Sequence, residues 1–595
     1  MRSWVSKTLM FLGGVFVVSA LIALVAGGLY WHKKTALPER IILEVNLDRQ
    51  FIEHAPNDPA ALALLAQKPR LRDTVEALEA AADDERVVAL IARLGSAPMG
   101  LGAFQELRDA IIRFSASGKR TVAFAETFGD MGPANGSYYL AAAFDEIYLQ
   151  PTGFLGLTGL NYEQYFVREA LDRIGVETRF ERRDDYKTAV NPFTETAYTE
   201  AHRESLEHIM DAQFGQILQG VAEGRGMSVL EARRLVNQGP FLWEEALEAG
   251  LVDGLMYRDE VHAMVKEDAG PGAELLFLSR YLSRAGRPHS TGTGVALIYG
   301  AGPIYRGASG YDPLLGQQRM GGATVAAAFR EAIEDDAIEA IVFRIDSPGG
   351  WIVPSAAIAR EVERAREEGK PVIATLGSVG ASGGYSIALP ADVIVAQPGT
   401  LTGSIGVFGG KVVTLEFWER LGVRWDWLRT STNANVFSMV QDFSPAQERR
   451  FASMIDTMHE DFLDRVVRSR GLSMSAAQAA AQGRVWTGRD ALDLGLVDAL
   501  GGYPEALRQV RLALGLAEDA PLDLQVIPRP KPLERLLAEQ FFSEGPDNSE
   551  PQAAGQTHAE LLRALRPWLQ GAHDAGLMGE GAGGQAMTPI PAPLW

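Results

Sequence analysis

A serine between glycines is the first feature of this sequence that suggests chemistry. Ser382 lies in the run Gly377-Ser-Val-Gly-Ala-Ser-Gly-Gly-Tyr385, with a strand-like apolar segment before it (371–376) and a helix-like segment after it (385–389). A strand, a tight turn and a helix start would expose the hydroxyl and leave amide N–H groups free beside it. Acyl transfer needs such a nucleophile next to oxyanion donors. A close-packed turn of small residues is the alternative.

A serine nucleophile needs a base, and histidine is one candidate. The segment 380–384 fits the G-x-S-x-G turn of α/β-hydrolases, which requires an aspartate and then a histidine downstream. The downstream histidines are His459, in an amphipathic helical pattern over 454–467, and His558 and His573, both in the C-terminal tail. None of these positions favours a Ser-His-Asp site over a lysine base, but the sequence leaves both open.

Lys187 is the candidate lysine, in the run Arg183-Asp-Asp-Tyr-Lys-Thr-Ala-Val-Asn-Pro-Phe193. A free lysine titrates near 10.4, so it acts as a base at pH 7 only if burial lowers its pKa by about three units. Ser404, in a second run of small residues (401–407), could accept a hydrogen bond from the ammonium and donate one to the amine. A solvated surface lysine beside Asp184 and Asp185 is the alternative.

Oxyanion donors are predicted near a second glycine pair. The run Asp346-Ser-Pro-Gly-Gly350 follows a strand predicted over 341–345. Gly349 and Gly350 let backbone N–H groups approach a ligand closely, and with the N–H of Gly383 they would form an oxyanion hole. A simple Pro-Gly turn is the alternative.

Alternating strand and helix patterns indicate the framework that holds these residues. Strands are predicted over 40–47, 87–94 and 121–125, with helices over 72–82 and 104–114 between them. This alternation predicts an α/β fold with a largely parallel, helix-covered sheet.

The framework occurs twice. Three blocks recur about 250 residues later, namely Ala89–Leu94 with Ala340–Ile345, Tyr138–Gly159 with Tyr385–Gly406, and Ala246–Asp253 with Ala491–Asp498. At the spacing of Asp145 and Asp392, Ser382 corresponds to Asn135, and Lys187 corresponds to the region of Ala434 and Asn435, where no lysine occurs. The copies therefore differ where chemistry is expected, and one site could combine the lysine of the first copy with the serine of the second.

Composition and the first segment limit the setting. The 595 residues carry a formal net charge of −20, which argues against nucleic acid as a partner, and they contain no cysteine. Residues 9–31 carry no charge and end in Tyr30-Trp31, which predicts a transmembrane anchor rather than a cleaved leader. Basic residues flank this segment on both sides, so they leave its orientation open.

Together these motifs resemble the long-form bacterial signal peptide peptidase (SppA, protease IV) family over most of residues 1–520. The resemblance implies a ClpP/crotonase-like fold in each copy, Ser382 as nucleophile, Lys187 as general base, Ser404 as the serine that orients the lysine, and no metal or cofactor. It also implies an oxyanion hole at Gly349, Gly350 and Gly383.

The same resemblance implies a location, whereas the internal repeats and the composition indicate a division of the chain. Residues 1–8 are expected in the cytoplasm, 9–31 in the inner membrane as a single span, and the catalytic part on the periplasmic or outer side, as a homotetramer that degrades signal peptides and other apolar peptides. The expected divisions are a lysine-bearing repeat (40–282), a linker (283–294), a serine-bearing repeat (295–528) and a tail (529–595) with a short helix near 558–569. An acyl-CoA enzyme of crotonase type and a non-enzymatic, membrane-anchored scaffold ring are the alternatives.

Overall fold

Two α/β units of the same design make up the described part of the protein. The computed structural model describes residues 36–65, 67–312, 316–532 and 536. The predicted anchor (9–31), the segment before it and nearly all of the tail beyond 532 lie outside these residues. Among the described residues, no helix is both long and apolar enough to cross a bilayer.

The described residues of the first unit, between 40 and 285, form nine strands and eleven helices. The strands are β1 (Arg40–Asn46), β2 (Val87–Leu94), β3 (Arg120–Ala125), β4 (Glu146–Leu149), β5 (Phe154–Leu155), β6 (Glu177–Arg182), β7 (Phe241–Leu242), β8 (Gly254–Leu255) and β9 (Ala273–Phe277). The helices are α1 (Pro59–Leu65), α2 (Leu71–Asp83), α3 (Leu101–Ser115), α4 (Asn135–Ala141), α5 (Arg168–Ile174), α6 (Asn191–Thr194), α7 (Glu200–Arg225), α8 (Val229–Val236), α9 (Trp243–Glu248), α10 (Arg258–Ala269) and α11 (Leu278–Ala285).

The second unit begins after a short connection over residues 286–292. Its strands are β10 (Thr293–Ala301), β11 (Ile304–Tyr305), β12 (Gly310–Asp312), β13 (Gln317–Gly321), β14 (Ala340–Ser347), β15 (Val372–Ala381), β16 (Val393–Ala396), β17 (Leu401–Gly403), β18 (Phe408–Val413), β19 (Val485–Thr487), β20 (Ala499–Leu500) and β21 (Leu522–Ile527). Its helices are α12 (Gly322–Glu334), α13 (Ile352–Glu367), α14 (Gly383–Ala388), α15 (Leu415–Arg420), α16 (Pro445–Arg470), α17 (Met474–Ala480), α18 (Gly488–Asp493) and α19 (Tyr503–Ala513).

The strand order is the same in both units, and the predicted α/β repeat is confirmed. The first sheet has the order β8-β4-β3-β2-β1-β9, and the second contains β20-β16-β15-β14-β10-β21. All neighbours in these two paths pair in parallel. The central strands are nearly continuous runs of buried aliphatic residues, as expected when helices cover both faces of a parallel sheet.

The two units differ in the length of one central strand, and this difference determines where Ser382 lies. In the first unit, β3 ends at Ala125, and the short strands β5 and β7 form a separate antiparallel pair. In the second unit, β15 continues to Ala381 and pairs there with β17, which in turn pairs with β19. The extension brings Ser382, the next residue, beside the loop after β17.

The two units are joined across a two-stranded antiparallel sheet. Strand β6 of the first unit pairs with β18 of the second along its whole length, from Glu177 opposite Val413 to Arg182 opposite Phe408. Lys187 follows β6 in the chain, so this pairing carries the lysine of the first unit onto the second.

A buried charge cluster also fixes the units to each other. The guanidinium of Arg344, on β14, donates to both carboxylate oxygens of Glu53 at 2.7 and 3.0 Å and to Glu106 at 2.8 Å. It also lies 4.6 Å from the ring centroid of Tyr503. The Arg344 side chain is 1% exposed, and those of Glu53 and Glu106 are 9% and 2% exposed. Two carboxylates from the first unit therefore depend on one cation from the second.

Replacing Arg344 with methionine is expected to destabilise the protein by about 3–5 kcal/mol, because both carboxylates would remain buried without a cation. The matched control is Arg93→Met at the corresponding position of the first repeat, where the side chain is 33% exposed and pairs with a half-exposed Glu126. That change should lower the free energy of unfolding by about 1 kcal/mol or less. Urea unfolding followed by circular dichroism measures both, and equal losses would contradict the role given to Arg344.

Candidate active site

Lys187 and Ser382, which are 195 positions apart in the chain, meet at the junction of the two units. The Nζ of Lys187 lies 3.1 Å from Oγ of Ser382. It also lies 2.9 Å from Oγ and 2.8 Å from the carbonyl oxygen of Ser404. The structure thus brings together the three residues that the sequence singled out as nucleophile, base and orienting hydroxyl.

The environment of Lys187 suits a neutral amine. The residue is 1% exposed, and burial lowers its pKa to about 7. Desolvation disfavours the charged form, and no carboxylate contributes to the shift. A substantial fraction of this lysine is therefore unprotonated near pH 7, and its lone pair can accept the hydroxyl proton of Ser382.

Ser382 sits on a strained turn between β15 and α14. Its φ of 53° and ψ of −118° belong to a region that residues with a side chain rarely adopt. Its N–H donates to the carbonyl of Gly403 at 2.8 Å, and its carbonyl accepts from the N–H of Ser386 at 2.8 Å. Bonds to β17 on one side and to α14 on the other hold the backbone in this conformation, and the side chain remains half-buried at the surface of the site.

The predicted oxyanion glycines lie against Ser382. A Cβ added to Gly349, whose φ is 103°, would lie 2.6 Å from the nitrogen of Gly383 and 2.9 Å from Cβ of Ser382, so only glycine permits this approach. The N–H of Gly349 donates to Oγ of Ser347 at 3.2 Å. Within the part of the chain that the structure describes, the N–H groups of Gly350 and Gly383 donate to no acceptor. Those two are the donors available to a substrate oxygen.

Gly483, which was not among the predicted site residues, packs against Lys187. The N–H of Gly483 donates to the carbonyl of Ile405 at 2.9 Å, and the next carbonyl, of Arg484, accepts from the N–H of Ser404 at 2.7 Å. A Cβ on Gly483 would come within 2.5 Å of the backbone nitrogen of Lys187 and 2.6 Å of its Cβ. A Gln-Gly pair occurs at the corresponding place in both repeats, 238–239 and 482–483, and this shared pair is the sequence feature that could have indicated Gly483.

In the first unit, the position that corresponds to Ser382 is occupied by Asn135, which has a structural role. Oδ1 of Asn135 accepts from the N–H groups of Thr158 and Gly159 at 3.1 and 2.9 Å, and its Nδ2 donates to the carbonyl of Gly159 at 2.8 Å. Asn135 therefore stabilises the loop at 158–159 of its own unit, whereas Ser382 of the second unit contacts Lys187 of the first.

Of the histidine candidates, the one that the structure describes, His459, makes no hydrogen bond to Ser382. His459, on α16, lies 3.2 Å from Oδ2 of Asp184, and His558 and His573 lie outside the described residues. In the described ranges no cluster of three or more histidine, aspartate or glutamate residues is arranged to hold a metal ion.

Comparison with known proteins adds independent information. A profile of peptidase family S49 matches residues 113–271 and 364–517, one region in each repeat. Protease 4 of Haemophilus influenzae is 29% identical over 535 residues, which cover 86% of this chain and 84% of that protein. Protease 4 of Salmonella typhi is 32% identical over 453 residues, covering 74% and 71%. A solved membrane-bound stomatin-specific protease, 1510-N, aligns with 40% of this chain and 98% of its own at 16% identity, with a TM-score of 0.25.

Proposed function

Because the chain belongs to peptidase family S49 and is a serine peptidase, we propose that it is a membrane-anchored endopeptidase that degrades cleaved signal peptides through a dyad of Ser382 and Lys187. The observation that carries the proposal is the contact of 3.1 Å between Nζ of a buried lysine and Oγ of a serine on a strained turn. The two repeats, 40–282 and 295–528, supply the base and the nucleophile respectively.

The first half of the reaction forms an acyl-enzyme. Neutral Lys187 takes the proton of the Ser382 hydroxyl while Oγ attacks the carbonyl carbon of the scissile peptide bond. The N–H groups of Gly350 and Gly383 donate to the oxygen that becomes negatively charged. The ammonium of Lys187 then gives its proton to the leaving amine as the C–N bond breaks.

The second half regenerates the enzyme. A water molecule gives a proton to Lys187 and attacks the ester carbonyl, and the bond to Oγ breaks with return of a proton to Ser382. Ser404 keeps Nζ in place in both halves, since its hydroxyl and its carbonyl oxygen each lie within 3 Å of that nitrogen.

The surroundings of the glycine pair support apolar peptides as substrates. Trp351, Ile352 and Val353 follow Gly350 directly, and their side chains are 56%, 38% and 60% exposed. Exposed apolar residues next to the donors offer contact area for apolar substrate side chains. A protein of Enterococcus faecium that is 29% identical over 178 residues is named a putative signal peptide peptidase, and signal peptides have an apolar central region.

Family membership favours this function over both alternatives. An acyl-CoA enzyme would need no serine nucleophile, and a scaffold would need neither a lysine of lowered pKa nor a strained serine beside it. For the location we propose a single span over 9–31 in the inner membrane, with the catalytic part on the outer side.

We further propose that copies of the chain assemble into the homotetramer by repeating the β6–β18 pairing between neighbours. At the repeat spacing, β18 corresponds to a segment that includes 163–166, and β6 corresponds to a segment that includes 424–427. Neither of these two segments belongs to a strand in the single chain. Pairing in the register of β6 with β18 would place Tyr165 of one copy opposite Trp425 of the next, and these side chains are 50% and 46% exposed.

Light scattering tests the assembly. Trp425→Asp should convert the oligomer to smaller species, whereas Leu512→Asp, an exposed residue on α19 (59% exposed), should leave the mass unchanged. A Trp425→Asp protein of undiminished mass would contradict the proposed pairing.

The function itself is tested with the full chain in detergent micelles. A fluorophosphonate probe should label one serine, Ser382, identified by mass spectrometry, and the unlabelled protein should cleave a synthetic signal peptide into fragments. Labelling of another serine, or an intact peptide after incubation, would overturn the proposal.

A further inference from the structure

The turn that presents Lys187 is held by a helix of the other unit. Helix α16 begins with a capping box, in which Oγ of Ser444 accepts from the N–H of Gln447 at 3.3 Å while the Gln447 side chain accepts from the N–H of Ser444 at 2.9 Å. Further along the same helix, Asp456 forms an ion pair with Arg183, whose Nη2 also donates to the carbonyl of Ala452 at 2.9 Å. A rigid, capped helix therefore lies against the residues just before Lys187.

Asp184 is the point at which this turn changes direction. Its φ of 69° is in the left-handed region, which aspartate adopts more readily than most residues with a side chain. Its carbonyl faces the N–H of Lys187 at 3.4 Å, and its carboxylate lies 3.2 Å from Nε2 of His459. The backbone conformation that places Lys187 and the contact with His459 thus belong to the same residue.

Asp184 is the polar contact that the structure gives the His459 ring. Its side chain is 13% exposed, and within the described chain its Nδ1 has no hydrogen-bond partner, so the contact through Nε2 is the polar contact of the ring. The separation of 3.2 Å between Nε2 and Oδ2 of Asp184 is a polar contact, and it becomes an ion pair when the imidazole is protonated. Asp456, about one turn earlier on the same helix, forms its ion pair with Arg183.

We propose that His459 is a positioning residue for the general base: by its polar contact with Asp184 it fixes the turn that sets Lys187 at its distance from Ser382. The proposal rests on the proposed function, because it assigns His459 a role in the same reaction. A displacement of about 1 Å in a catalytic group can lower the rate by about 100-fold, so a loosened turn should affect the chemical step. The proposed role acts on the chemical step, so KM should change little.

The test uses one disruptive and one conservative variant of the full chain. His459→Leu should lower kcat about 10-fold or more with KM within about twofold of the wild-type value. His459→Gln, whose amide nitrogen can occupy the position of Nε2, should recover kcat to within about threefold. Asp184→Ala should reproduce the leucine variant, whereas Asp184→Asn, which tolerates a left-handed backbone and can accept from the imidazole, should retain activity.

The matched control is His289→Leu, which removes another imidazole–carboxylate contact, that with Glu79 at 3.1 Å, from a side chain 9% exposed. Its kcat per folded molecule should equal that of the wild type, with urea midpoints recorded for every variant. A glutamine variant as slow as the leucine variant, or a loss seen in KM alone, would overturn the proposal. If the wild type hydrolyses no peptide, the proposed function fails; if it does and His459→Leu is unimpaired, only the positioning role fails.

Discussion

Replacing Lys187 with methionine should abolish peptide hydrolysis and make the folded protein more stable. The rate should fall about 10⁴-fold or more, as for removal of a base from other serine peptidases, because no other base contacts Ser382 among the described residues. Stability should rise because the fold no longer has to bury an amine whose pKa it lowers from 10.5 to about 7. At about 1.4 kcal/mol per pKa unit, the gain has an upper limit of about 5 kcal/mol.

The pH dependence of this stabilisation follows from proton binding. Between pH 7 and pH 10.5 the unfolded chain holds a proton on Lys187 that the folded chain has lost, so wild-type stability rises with pH across this window. The advantage of Lys187→Met should therefore be constant below pH 7, shrink as pH rises and vanish above about 10.5. In the wild type, kcat/KM should rise with pH around a midpoint near 7 as Lys187 loses its proton.

Urea unfolding at pH 7 and at pH 10, with peptide cleavage at the same time, checks both effects. Lys266→Met is the control, because Lys266 is exposed and its loss should change the free energy of unfolding by about 0.5 kcal/mol or less. A Lys187→Met protein that is less stable than the wild type at pH 7, or that retains a tenth of its activity, would contradict the role of Lys187 as the buried base.

Substitutions of Ser382 should separate the catalytic hydroxyl from the strain of its backbone. Ser382→Ala and Ser382→Gly should both lower the rate by about 10⁴-fold or more, because neither has a nucleophile. Ser382→Gly should be the more stable of the two by about 1 kcal/mol, since glycine adopts the φ of 53° and ψ of −118° without strain. Part of the relief is offset by the larger conformational freedom of glycine in the unfolded chain.

Ser386, on α14, provides the matched comparison. Its backbone is helical, so Ser386→Gly should be less stable than Ser386→Ala by about 0.5–1 kcal/mol, the opposite order to that at Ser382. Thermal or urea unfolding of the four variants gives the two differences. The same order at both positions would mean that the turn at Ser382 is not strained.

Much of the framework could be predicted from the sequence because the chain contains its own comparison. The strand predicted over Val87–Leu94 has the bounds found in the structure, and the helix predicted over 104–114 lies inside α3. Blocks that recur at a spacing near 247 residues predicted two similar units. The units differ at Ser382, which corresponds to Asn135, and at Lys187, which has no lysine counterpart, and the structure brings Ser382 and Lys187 together. Local pattern and repetition were sufficient for this level.

The contacts that adjust the site could not be predicted in that way. The pairing of β6 with β18 joins segments more than 220 residues apart, and neither strand has a counterpart pairing within the chain to be compared with. The contacts of Gly483 with Lys187 and of His459 with Asp184 depend on how loops of one unit pack on the other. Side-chain type gave His459 the appearance of a rival base, whereas its position on α16 directs it to a carboxylate.

The order in which the site's parts occur along the chain also governs when hydrolysis can begin. Lys187 is translated first, and Ser382 follows nearly two hundred residues later. The loop of Gly483, which packs against the backbone of Lys187, follows about a hundred residues after Ser382. A fragment that ends before that loop lacks part of the packing around Lys187. We therefore expect peptidase activity to begin only when the second unit is complete, and a chain that ends before Gly483 to be inactive.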